Sequence, residues 1–135
     1  MSEHSTEISV PARHQALAQL NAGIADACAG LGISGTDCLR LQLVAEELFI
    51  NTIDHGLQRN SDSIVRLVIG RDDGGLTLRY EDEAPAFNPF LPPATTAGDD
   101  SIGGLGLALL SGMSQSQHYR REGGRNIVEI GLQAP

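Results

Sequence analysis

Three short stretches of this chain combine chemically capable residue types with spacings that bring them together. Glu47, Asn51 and His55 recur at every fourth position, so on a helix they form one row about 80° wide. Leu39, Leu41, Leu43, Val44, Ala45, Leu48, Phe49, Ile50 and Ile53 occupy almost the whole remaining circumference, which predicts a largely buried helix. A carboxylate, an amide and an imidazole inside such a surround are costly unless something polar faces them, so the row is expected to line a wet cavity. The alternative is a row that faces solvent on an ordinary amphipathic helix. Gln42 and Glu46 lie on a different side, where a solvated face accounts for them.

The second stretch is Leu76-Thr77-Leu78-Arg79-Tyr80-Glu81-Asp82. Strand parity puts Asp82 on the apolar side with Leu76, Leu78 and Tyr80, and Thr77, Arg79 and Glu81 on the other. A carboxylate there needs donors, which a ligand amino group would supply. The commoner role of an isolated Asp before a Pro-rich loop is to end the strand and cap the turn that follows. The third stretch is Ile102-Gly103-Gly104-Leu105-Gly106-Leu107, ahead of an apolar run. Glycines at a helix N-terminus let backbone N–H groups approach an anion, and the helix dipole favours its charge. Alone, the motif also fits a hinge before a close-packed helix.

Local signals define the elements that must position these residues. Ile8 to Val10 reads as a short strand. The pattern Leu17, Leu20, Ile24, Ala27, Leu31 reads as a first helix. Thr36 or Asp37 is the expected N-cap of a second helix running to about His55, with Gly56 ending it. Ile64–Ile69 and Leu76–Asp82 flank Asp72-Asp73-Gly74-Gly75 as a hairpin, and Gln117–Arg121 and Asn126–Leu132 flank Gly123-Gly124 as another. Between them, Glu83 to Gly103 has no periodicity and holds Pro85, Pro89, Pro92 and Pro93, as a functional loop would. A third helix is expected from Gly104 to about Met113. The order β-α-α-β-β-loop-α-β-β predicts an α+β two-layer sandwich, with helices on one face of a mixed, mostly antiparallel sheet.

Composition narrows the function. The 135 residues suit one domain, with a core spanning 7–133. The formal net charge is −8, and all nine basic residues other than histidine are arginine. A nucleic-acid partner is not expected, because the only clustered bases are Arg120, Arg121 and Arg125. Absence of lysine removes a Walker A lysine and a Schiff-base lysine. Cys28 and Cys38 are too few for a zinc knuckle or a CxxC pair and match no motif, as is true of His14 and His118. No signal peptide or membrane span is legible, so a cytoplasmic protein is expected.

Taken in order, Glu47-x-x-x-Asn51-x-x-x-His55, Asp82-Glu83-Ala84-Pro85-Ala86-Phe87-Asn88-Pro89 and Gly103-Gly104-Leu105-Gly106-Leu107 resemble the N, G1 and G2 boxes of the Bergerat-fold (GHKL) ATPases. That superfamily includes DNA gyrase, heat-shock chaperones, sensor histidine kinases and mismatch-repair ATPases. Within it, Glu46-Glu47-Leu48-x-x-Asn51, Phe87-Asn88-Pro89 and the closing Tyr119–Asn126 hairpin resemble the RsbW-like anti-sigma-factor serine/threonine kinases. The resemblance runs from Ile8 to Leu132.

The resemblance implies ATP and Mg²⁺ as cofactors, with Asn51 as the metal ligand. It implies that Asp82 accepts a hydrogen bond from the adenine amino group, and that Gly103, Gly104, Leu105, Gly106 and Leu107 hold phosphates. Glu47 would be the general base toward a serine or threonine hydroxyl, His55 would shape the pocket, and 83–103 would be the ATP lid. Ala84 stands where the G1 box usually has glycine, so it could tighten the adenine edge or change the turn, and Phe87 belongs to the same box. The implied partners are a STAS-type anti-anti-sigma protein as substrate and a sigma factor, with a homodimer also implied. An ATP-gated adaptor that sequesters a partner without phosphotransfer is the alternative. A detached histidine-kinase catalytic domain is disfavoured, because no helix pair carrying a phosphoacceptor histidine precedes the boxes.

Overall fold

The computed structural model describes residues 4–72, 75–89 and 116–132. In chain order these form β1 (His4–Pro11), a 3-10 turn (His14–Ala16), α1 (Leu17–Leu31), α2 (Gly35–Asn51), a π-helical turn (Thr52–Leu57), β2 (Ile64–Asp72), β3 (Gly75–Asp82), β4 (Ser116–Glu122) and β5 (Arg125–Leu132). The expected third helix, the Gly103–Leu107 motif and most of the expected lid lie outside the described residues.

The five strands form one sheet in the order β1-β2-β3-β5-β4, and every described pairing is antiparallel. Both expected hairpins are present. In the second, Gly123 and Gly124 both have positive φ (59° and 78°), the combination a two-residue turn needs to match strand twist. The first strand is longer than Ile8–Val10, because the whole of β1 finds hydrogen-bonding partners along β2.

Both described helices cover one face of the sheet, the α+β two-layer arrangement. Strand alternation sends Leu67, Ile69, Leu76, Leu78, Tyr80, Val128, Ile130 and Leu132 to that face, against Leu20 and Ile24 of α1 and Leu41, Val44, Leu48 and Phe49 of α2. Each fully buried side chain of this size contributes about 1.5–3 kcal/mol, well above helix propensity differences of under ~1 kcal/mol, so packing decides where the helices lie. On the opposite face Glu81 is buried under arginines, 2.7 Å from Arg79 Nε and 3.4 Å from Arg125 Nη1.

Helix α2 departs from expectation in three ways. Its N-cap is Ser34, whose hydroxyl accepts from the Asp37 N–H at 3.1 Å, and Asp37 sits in the first turn and pairs with Arg40 at 3.0 Å. It is not buried all round, since Leu39 and Leu43 are exposed. The regular helix stops at Asn51, where the Thr52 N–H is shared between the Leu48 and Phe49 carbonyls and the Thr52 hydroxyl oxygen stands 3.0 Å from Leu48 O. The wider π turn then runs through Gly56 to Leu57, and Gln58, at φ 60°, closes it in place of Gly56. Among the described residues, no helix is long and apolar enough to cross a membrane.

Candidate functional site

The end of α2, its π turn, the end of β3 and the start of β5 converge on one pocket. Leu48, Tyr80 and Val128 supply its apolar wall, Ala84, Phe87 and Pro89 close one side, and Asn51, Thr52, Asp82 and Asn126 supply its polar atoms. A largely apolar lining with one carboxylate in its wall suits an aromatic base that carries an amino group.

Asp82 is buried, on the face that strand parity predicts, and three donors surround it. The Thr52 hydroxyl donates to Oδ2 at 2.7 Å, the Asn126 amide donates to Oδ1 at 2.8 Å, and the Ala84 N–H donates to Oδ1 at 3.1 Å. Asp82 therefore both faces the pocket and caps the turn after β3.

Asn126 is the direct cross-strand partner of Asp82. Its amide nitrogen also donates to the Ala84 and Pro85 carbonyls at 3.2 and 3.0 Å. Its oxygen accepts from the Phe87 N–H at 3.2 Å and the Tyr119 hydroxyl at 2.6 Å. Arg121 adds a 2.6 Å bond to Ala84 O. The β4–β5 hairpin thus holds the chain that leaves Asp82, and with it the Ala84 and Phe87 walls.

At the other side, Asn51 is buried at the last residue of α2, one turn after half-buried Glu47. Burial, the largest influence, raises the Glu47 carboxyl above its ordinary value, and the charge of Glu46 adds to this. A hydrogen bond from Asn51 and the proximity of His55 oppose it. Because a carboxylate only accepts, Asn51 uses its NH₂ on Glu47 and keeps its amide oxygen for another partner. That oxygen and the Glu47 carboxylate are hard donors of the kind Mg²⁺ takes.

The histidine kinase-like ATPase domain family matches residues 10–132, nearly the whole chain. The chain belongs to this family. Its fold is that of solved histidine kinases. The histidine kinase domain of the blue-light-activated kinase EL346 from Erythrobacter litoralis superposes with a TM-score of 0.53 at 17% identity, over 85% of this chain and 61% of that one. The histidine kinase AdeS of Acinetobacter baumannii gives 0.50 at 15% identity, over 96% of this chain and 68% of that one. This chain thus spans about three-fifths to two-thirds of the length of either structure. No curated protein matches.

As a kinase-like ATPase domain the chain is an ATP-binding one, and its residues divide into those that line the pocket and those that do not. Asn51, Asp82, Ala84 and Phe87 line it together. Glu47 and His55 are absent from its described lining. His55 is exposed, because the π turn shifts the register after Asn51 and breaks the expected row. Glu47 stays joined to the pocket through Asn51. Ala84 needs no glycine-like backbone, since Gln58 is the only non-glycine with positive φ among the described residues. Gly103, Gly104, Leu105, Gly106 and Leu107 lie outside the described residues.

Sequence reasoning passed over Thr52, Gly56 and Tyr80 as parts of this ATPase domain's pocket, and Asn126 as the partner of Asp82. Strand parity carried a signal for Tyr80, two residues before Asp82 on the same face. Asn126 carried none, because its position depends on the register of β3 against β5.

Proposed function

We propose that this ATPase domain is an ATP- and Mg²⁺-dependent protein serine/threonine kinase that acts as an anti-sigma factor. Its substrate is a STAS-type anti-anti-sigma protein, and its other partner is a sigma factor. The observation that carries the reading is the Glu47–Asn51 pair, a carboxyl raised by burial beside an amide that lines the pocket. A general base works best with its pKa moved toward neutrality, and burial moves Glu47 in that direction.

Asp82 accepts from the amino group of the base, and Leu48, Tyr80 and Val128 exclude water around it. Asn51 would hold Mg²⁺ through its amide oxygen. Mg·ATP, when bound, supplies the phosphoryl group and spreads the charge of the phosphates. Glu47 would take the proton of the attacking hydroxyl, whose oxygen would bond to the γ-phosphorus as the bond from that phosphorus to the bridging oxygen breaks and ADP leaves with its electron pair. With no lysine in the chain, affinity for ATP depends heavily on the metal.

The deciding experiment is transfer of label from γ-labelled Mg·ATP to a STAS-type protein, with Glu47→Gln alongside. Phosphoserine or phosphothreonine that falls at least 100-fold in the variant supports the reading. Absence of label, or equal label from both proteins, overturns it. Nucleotide-dependent partner binding without label would establish the adaptor reading instead. Since the two solved structures are histidine kinases, acid-labile phosphohistidine would place the domain with them.

A further inference from the structure

The Asp82 carboxylate offers about four acceptor positions, and the described residues take three. The Ala84 N–H and the Asn126 amide fill Oδ1, and the Thr52 hydroxyl takes one position on Oδ2. Thr52 has one proton and three neighbours: Asp82 Oδ2 at 2.7 Å, Leu48 O at 3.0 Å and the Tyr80 hydroxyl at 2.6 Å. The charged acceptor at the shorter distance claims that proton. Tyr80 in turn stands 2.6 Å from Thr52 Oγ1 but 3.2 Å from Leu48 O, so its proton goes to Thr52. The result is a buried, one-directional chain from Tyr80 to Thr52 to Asp82, in which each bond polarises the next.

We propose that Thr52 and Tyr80 are positioning residues for base selection: acting through Asp82, they fix the orientation of its carboxylate and leave one acceptor position, on Oδ2, for a ligand. Such a position takes an exocyclic amino group. It rejects a 6-oxopurine, which would set a carbonyl oxygen against the carboxylate. Without the Thr52 hydroxyl, Oδ2 loses the donor that fixes its orientation and its remaining acceptor position is no longer aimed at the amino group, so the preference narrows. The proposal rests on the reading of the pocket as an adenine-nucleotide site.

The test is calorimetric affinity for ATP and for ITP, which differ at that amino group, in the wild type and in Thr52→Val, Thr52→Ser and Tyr80→Phe. Thr52→Val is expected to weaken ATP by about ten-fold or more, the value of a hydrogen bond to a charged group, and ITP by much less. Thr52→Ser is expected to keep the wild-type ATP-to-ITP ratio, and Tyr80→Phe to reduce it by less than Thr52→Val does. The ratio does not depend on the fraction of active protein, so partial misfolding does not imitate the effect. Equal weakening of both nucleotides in Thr52→Val, or failure of serine to restore the ratio, overturns the positioning role while leaving the adenine site intact. A wild type that binds ITP as well as ATP overturns the adenine reading itself, and this proposal with it.

Discussion

The methyl group of Ala84 occupies the space that a side chain at Gly56 would need: a Cβ on Gly56 would stand 2.8 Å from Ala84 Cβ. Both residues line the pocket, one from the π turn and one from the segment after β3. Neither has the positive φ that would require glycine, so the constraint is one of space and not of backbone conformation. The alanine in place of the usual G1-box glycine is accommodated by a glycine 28 positions earlier in the chain.

Gly56→Ala is therefore expected to destabilise the fold by about 1–3 kcal/mol, the usual cost of overpacking. Adding Ala84→Gly removes the opposing methyl and should recover most of that loss. Urea unfolding of the two single variants and the double variant measures the coupling, and strictly additive effects would contradict the contact.

Glu47 gives a stability signature that is separate from catalysis. Burial raises its carboxyl in the folded state, so the folded protein binds the proton more tightly than the unfolded chain does. Stability linked to this group is present below the ordinary glutamate value and is lost as pH rises through the raised folded value. Glu47→Gln should consequently melt higher than wild type at pH 7.5, with the difference vanishing near pH 4. A Tm difference that does not change with pH would remove the case for a raised carboxyl.

Asn126→Asp sets a second carboxylate against Asp82, across the present 2.8 Å contact. Two charged carboxylates at that distance repel each other, so the variant is expected to be less stable than wild type where both are charged. The expected cost at pH 8 is about 3 kcal/mol, or roughly 10 °C in Tm, with recovery on acidification. Thermal melts at pH 5 and pH 8 measure it, and equal losses at both would show that Asn126 acts on Asp82 by packing alone.

The two cysteines should differ in reactivity. Burial first, then a hydrogen bond with Cys38 and the nearby charges of Cys38 and Asp37, push the Cys28 thiol up to about 12. A thiol reagent at pH 8 is expected to modify one site per native chain, half-buried Cys38, and to reach Cys28 only after unfolding. Peptide mapping of the labelled protein checks this, and comparable labelling of Cys28 in the native state would refute it.

How much of this was legible in the sequence depends on the range of each interaction. Period-two alternation placed Leu76, Leu78, Tyr80 and Asp82 on one face, turn residues marked both hairpins, and a four-residue interval put Glu47 and Asn51 one turn apart. Those are local consequences of backbone geometry, and composition alone excluded a lysine-based phosphate site. The end of α2 was not local. The Thr52 hydroxyl has Tyr80 and Asp82 as partners on β3, and the helix widens at that residue, which leaves Asn51 facing the pocket and carries His55 to the surface. The pairing of Asp82 with Asn126, 44 residues later, likewise follows from the register of two strands joined by no hairpin. Sequence by itself determined which residues have the right chemistry and on which face they start. Only the tertiary structure decided which of them share one pocket, because register and helix termination are settled by long-range packing and by the demand that every buried polar group find a partner.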